Sequence, residues 1–206
     1  MTASRYIAPA LLLVYLNVSA QQPAEGSDAI SLAEKPALTD AEIVNEQEAL
    51  ALEGKMRISK FAETLKHTLV TTIQTQGLTA AVEVCHQEAP KIADKLSTHG
   101  WQLARTSLKT RNQANQPDDW ETQNLIAFDK SFKSGAAPDT LMVTSIQDNQ
   151  FRMMKAIPTG QVCLACHGTS ISEEVRTVIH EKYPKDAATG FTLEDIRGAF
   201  TLTKDL

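Results

Sequence analysis

The sequence predicts an α+β domain built on an antiparallel sheet. Helical periodicity dominates the first half of the 206-residue chain. Most strand-like stretches fall late and close together, two of them around one short turn. Helices followed by strands, with no βαβ alternation, fit helices packed on an antiparallel sheet.

Residues 1–20 read as a signal peptide. Arg5 gives a weakly positive start, residues 7–18 form a short apolar run, and Val18-Ser19-Ala20 is a small-residue cleavage site. The run is too short for a comfortable membrane span, and an uncleaved anchor is the competing reading. Residues 21–38 are small and polar and read as a flexible leader, so that a leader and helix start occupy 21–45 and a single domain 46–206. Thr39-Asp40-Ala41-Glu42 has the form of a capping box. Ile58, Phe61, Leu65, Leu69 and Ile73 then recur at spacings of three and four, one apolar stripe of a long helix that Gly77 should stop and Gly54 should break. A short helix follows over 79–88, with Leu78, Val82, Cys85 and Ala89 on its buried face. Pro90 interrupts it, and 91–96 resumes helical.

Residues 101–108 read as a strand. Asp118-Asp119-Trp120-Glu121 is a second capping box, followed by a helix with Leu125, Phe128 and Phe132 inside and Gly135 at its end. Residues 141–146 and 151–157 form a hairpin around Asp148-Asn149. A helix capped by Ser172 runs to 183, and 195–202 is the last strand.

The chemistry lies in Cys163-Leu164-Ala165-Cys166-His167. C-x-x-C-H is the attachment pattern of a c-type haem: two thiols add across the haem vinyl groups, and the adjacent imidazole becomes an axial ligand. A thioredoxin-like disulfide would follow the first strand of a βαβ unit, and none is visible. A structural zinc site wants a second pair of ligands, and the remaining Cys and His are scattered. Export agrees with this reading, because c-type haem is attached outside the bacterial cytoplasm. The formal charge of −5 argues against general nucleic-acid binding.

The three cysteines are an odd number, so Cys85 needs an explanation. It lies on an apolar helix face, where it is either a haem ligand or a small buried hydrophobe. Rival ligands are His86, about 100° further round the helix, His67, His99, His180, and one of Met153-Met154, which alternate on a strand. Arg105, Lys109, Arg111 and Lys155 are candidate partners for the haem propionates. Trp101, Trp120 and Phe128 suit either the porphyrin or an ordinary core.

Several blocks together resemble one family: Ala81-Val82-Glu83-Val84-Cys85, Gly100-Trp101, Arg105-Thr106-Ser107-Leu108-Lys109 with Arg111-Asn112, Asn115-Gln116-Pro117-Asp118-Asp119-Trp120-Glu121, Pro158-Thr159, the haem motif with Gly168, Tyr183-Pro184 and Ile196-Arg197-Gly198-Ala199. Over residues 55–203 the chain resembles the Tll0287-like c-type haem domain family. The resemblance implies a PAS-like fold with one haem. It also implies an axial pair of His167 on one face and a Cys from an N-terminal helix, by position Cys85, on the other. Arg105 and Arg111 become the preferred propionate partners because they stand in the family-specific block. Members are thought to be redox or gas sensors.

Two functions follow as expectations. The first is a periplasmic sensor in which reduction frees the Cys85 position for a small gaseous ligand. It has no stable membrane span after cleavage and signals to an unidentified protein partner. The second is a soluble periplasmic electron-transfer cytochrome, whose coordination should not change on reduction. A haem peroxidase would need an open iron site, which a Cys85 ligand blocks, so no enzymatic activity is expected.

Overall fold

The computed structural model describes residues 40–206, with side chains from residue 44. The expected signal peptide, the leader and the Thr39 cap lie outside the described residues. The described architecture is mixed helix and antiparallel sheet, as expected.

The long helix α1 spans Asp40–Glu83. It runs unbroken through Gly54, contrary to expectation. The glycine serves packing: a Cβ there would come within 2.6 Å of the Met153 Sδ, so its absence lets the helix lie close on the sheet. The break falls at Gly77, whose φ of 86° and ψ of 178° suit only glycine, and the helix resumes at once. Leu50, Ile58 and Phe61 form its buried stripe.

Beyond α1 the helix widens into a π-helical turn, Val84–Glu88, and then narrows into α2, Ala89–Leu96. Pro90 explains the widening. It has no N–H, and its ring would collide with the carbonyl four residues back. Instead the Ala89 amide reaches five residues back, to the Val84 carbonyl. Such turns concentrate at functional sites, and this one carries Cys85.

Strands β1 (Trp101–Thr106), β2 (Met142–Gln147), β3 (Gln150–Pro158) and β4 (Ile196–Asp205) form one sheet in the order β1-β4-β3-β2, antiparallel throughout. β1 stops two residues short of expectation, because the Ser107 hydroxyl donates to the Arg197 carbonyl (2.9 Å) and accepts the Lys109 amide (3.3 Å), turning the chain. β4 runs three residues longer than expected, since Thr203 and Lys204 pair with β1 and Asp205 with Gln150. The hairpin turn is as read: Asp148 and Asn149 both have positive φ, 50° and 58°, which matches strand twist.

Each face of the sheet has its own core. α1 and α2 cover Trp101, Leu103, Phe151, Met153, Phe200 and Leu202. Helix α3, Asp119–Lys133, covers Met154, Ala156, Ile196 and Ala199 with its Leu125 and Phe128. A third, smaller core of Val82, Val175, Ile179 and Tyr183 joins the end of α1 to helix α5, Glu173–Lys182.

The capping box opening α3 is complete: the Glu121 amide donates to Asp118 Oδ1 (2.8 Å) and the Asp118 amide to Glu121 Oε2 (3.2 Å). Arg152 adds a contact of 2.6 Å to Asp118 Oδ2. Burial pushes the Asp118 carboxyl up, but the Glu121 amide and Arg152 outweigh it and hold it below its ordinary value. Replacing Asp118 by Ala should lower unfolding stability by about 1–2 kcal/mol. The difference should shrink in urea titrations as the pH falls through the folded pKa of Asp118, because a depressed carboxyl stabilises only while ionised.

Candidate functional site

Cys163 ends a 3₁₀ turn, Gln161–Cys163, and the single helical turn α4, Leu164–His167, completes the motif. α4 is closed by the Gly168 amide on the Leu164 carbonyl. A loop after α5 clamps the motif: the Phe191 amide donates to the His167 carbonyl and the Gly190 amide to the Gly168 carbonyl, both at 3.0 Å. Arg111 completes the clamp from inside. Its Nε and Nη2 each lie 3.1 Å from the Asp186 carboxylate, and Nη2 also reaches the carbonyls of Cys166 (2.6 Å) and Ala188 (3.2 Å).

His167 is held in one tautomer. Its Nδ1 lies 2.7 Å from the Ala188 carbonyl, which can only accept, so Nδ1 carries the proton and Nε2 keeps its lone pair. Burial, reinforced by the positive charges of Arg197 and Arg111, pushes its pKa well below the ordinary histidine value. The ring is therefore neutral at ordinary pH, the form that ligates a metal. The Phe191 ring stands edge-on to it at 6.3 Å.

Cys85 belongs to the same neighbourhood. Burial raises its thiol pKa, while Arg105, Arg111 and Arg197 pull it down and a negative charge on Cys163 would raise it further. The Cys166 thiol is likewise raised by burial, with Arg111 opposing and Cys85 and Cys163 adding to the rise. Cys166 packs on the third core, which also holds Val82, three residues before Cys85. None of the three cysteines is in a disulfide.

Positive charge collects here. Arg105, on β1, lies over the Phe61 ring at 5.4 Å. Arg197, on β4, contacts the Ser107 hydroxyl at 3.3 Å and lies 5.1 Å from the Phe191 ring, but its buried Nε has no partner among the described residues. Burial and the charges of Arg111 and Arg105 push its pKa down to about 10, which still leaves it charged. One carboxylate, Asp186, bonds to this group. The Tyr183 phenol is pushed up to about 12, mainly by burial. Beside the Cys85 turn a groove of about 410 Å³ opens to solvent between His86, Arg111, Gln113, Lys182, Tyr183 and Lys185.

The structure thus brings Cys163, Cys166, His167, Cys85, Arg105 and Arg111 to one region. Of the rival ligands it brings His86 there, in the wall of the same groove, and not the others. His67, His99 and His180 are exposed, and the His86 ring stacks edge-on to Tyr183 at 5.2 Å. Met153 and Met154 are fully buried in the two opposite sheet cores. Lys155 points to Asp139, and Trp101 and Phe128 are core residues. Trp120 packs under Arg152. Arg197, Tyr183, Phe191 and Asp186 join the site without being among the residues the sequence analysis proposes for it. The sequence signal for Arg197 and Tyr183 was their place in family-specific blocks; Phe191 and Asp186 had none.

These residues fit a haem. Among the described residues no three Cys, His, Asp or Glu side chains converge on a point as an ion cluster requires. Instead, thiols and imidazole are spread across one region with excess guanidinium charge, and the orphaned Arg197 Nε is a donor suited to a carboxylate.

The chain matches the Tll0287-like family model (Tll0287) over residues 30–204. Among solved structures it is similar to that of the cyanobacterial haem protein Tll0287, at 28% identity over 82% of this chain and 97% of that one, with a TM-score of 0.54. A comparison with curated proteins finds no match.

Proposed function

Because the chain belongs to the Tll0287-like family, we propose that it is an exported, cytochrome-like protein carrying one c-type haem and acting as a redox or gas sensor. The solved relative is a haem protein. Cys163 and Cys166 would hold the group by thioether bonds, and His167 and Cys85 would ligate it. The observation that carries this reading is the gathering of Cys85 with the Cys163–His167 turn under three guanidinium groups.

When bound, a haem supplies a redox-active iron able to take a small gaseous ligand. His167 contributes a neutral Nε2, oriented by the Ala188 carbonyl; such an outer partner fixes the tautomer and raises the basicity of a ligating imidazole. Arg105, Arg197 and the remaining Nη1 of Arg111 would pair with the haem propionates. Cys85 would carry the switch: protonated, as its raised pKa favours, it is a thiol, and deprotonated it is a thiolate whose charge the three arginines offset. Taking back that proton withdraws the sulfur as a donor. The groove beside Tyr183 supports a small-molecule route to this side.

The sheet order β1-β4-β3-β2 with helices on both faces supports a PAS-like reading. The apolar run at 7–18 before Val18-Ser19-Ala20 supports periplasmic export, and no described helix is long and apolar enough to cross a membrane. The output would pass to a protein partner; no catalytic or nucleic-acid role is proposed.

Low-temperature EPR of the ferric, haem-loaded protein tests the ligation. A low-spin thiolate signal is expected that disappears in Cys85→Ala. An unchanged spectrum would remove Cys85 from the iron, sink the switch, and leave a periplasmic electron-transfer cytochrome.

A further inference from the structure

The first half of α1 presents an apolar seam on the face turned away from the sheet. Leu50, Ile58 and Phe61 point to the core. Ala49, Leu52 and Met56 lie on the opposite face, spaced by three and then four residues, so they share one stripe. Leu52 is 61% and Met56 59% exposed, among the most exposed large hydrophobics of the domain. Nothing among the described residues covers them.

Charge along this helix is divided. Glu46 and Glu48, both exposed, precede Leu52, and no cation lies among residues 44–51. Exposed Lys55, Lys60 and Lys66 follow, with Glu63 the one exposed acidic residue in that half. We propose that the occupant of the seam is a second copy of this chain, packed antiparallel along α1 about a two-fold axis between Leu52 and Met56. In that register Leu52 of each copy meets Met56 of the other. The Glu46–Glu48 end of each helix lies along the Lys60–Lys66 end of its mate. A parallel pair would set acid against acid and base against base. The two-fold arrangement is isologous and closes at two copies, and it leaves the haem-motif region of each copy outside the contact.

Sedimentation velocity of the full chain, over a range of concentrations at low salt, tests this. A monomer–dimer equilibrium is expected. Leu52→Asp with Met56→Asp should raise its dissociation constant by more than about a hundredfold, with helical circular dichroism unchanged because neither side chain supports the fold. Glu46→Lys with Glu48→Lys should raise it by about tenfold, and adding Lys60→Glu and Lys66→Glu should restore it. A dimer indifferent to the Leu52 and Met56 changes overturns the proposal, as does failure of the fourfold reversal to restore pairing. A chain monomeric at every concentration also overturns it, and resistance of Met56 to peroxide oxidation would then assign the seam to residues 21–39 of the same chain.

Discussion

Arg111→Ala should cost the domain about 3–5 kcal/mol, the penalty typical of a buried charge stripped of its partner. Arg111 and Asp186 expose only 8% and 10% of their side chains. The pair is bidentate, with both contacts at 3.1 Å, and the guanidinium further holds the carbonyls of Cys166 and Ala188. Without it, Asp186 keeps only the Ala188 amide on Oδ1 among these partners, the Cys166 carbonyl loses this bond, and the Ala188 carbonyl is left with the His167 Nδ1–H alone. Three segments far apart in sequence would loosen together: the turn after β1, the haem motif and the 186–191 loop. Lysine is a poor substitute because a point charge cannot span the fork. The measurement is the urea midpoint of Arg111→Ala and Arg111→Lys beside the parent. A loss below about 1 kcal/mol would show that the clamp is held elsewhere.

Cys163→Ala with Cys166→Ala should abolish retention of haem through denaturation. The parent chain should carry its colour through a denaturing gel and resist acidified organic solvent, because thioether bonds survive both. The double variant should release all of it, even though His167, Cys85 and the arginines remain to hold the group reversibly. A parent chain that gives up its haem to the solvent would refute covalent attachment while leaving haem binding intact. Single substitutions should keep one thioether and stay coloured, which separates loss of attachment from loss of folding.

Local chemistry was legible in the chain, and long-range partnership was not. The Asp118 capping box, the Asp148-Asn149 turn and the Ser172 cap depend on neighbours within a few residues, and they appear where their residues place them. Gly54 shows the limit. A glycine in a helix reads as a weak point, but its reason is Met153, about a hundred positions away and on a strand. Arg111 reads as a candidate propionate partner, yet much of its bonding is taken by Asp186, Cys166 and Ala188. Periodicity puts one methionine of the Met153-Met154 pair inside and leaves the other free as a ligand; helices on both faces of the sheet bury both. Cys85 was found from its apolar helix face, but the wide turn that aims it is visible only once Pro90 is seen acting on the turn before it.

The small third core has a consequence for the order in which the protein is built. Val82, Val175, Ile179 and Tyr183 tie the Cys85 segment to α5, separately from the two cores that hold the sheet. A unit with few buried side chains opens at a lower free energy than the body it is attached to. Local opening that parts α5 from the end of α1 should therefore precede loss of the sheet and its two covering layers. Under the proposed function, a bulky, flat group would enter before this contact forms. Closing it adds to the stability of the whole, so the finished protein would be kinetically sealed by what it carries.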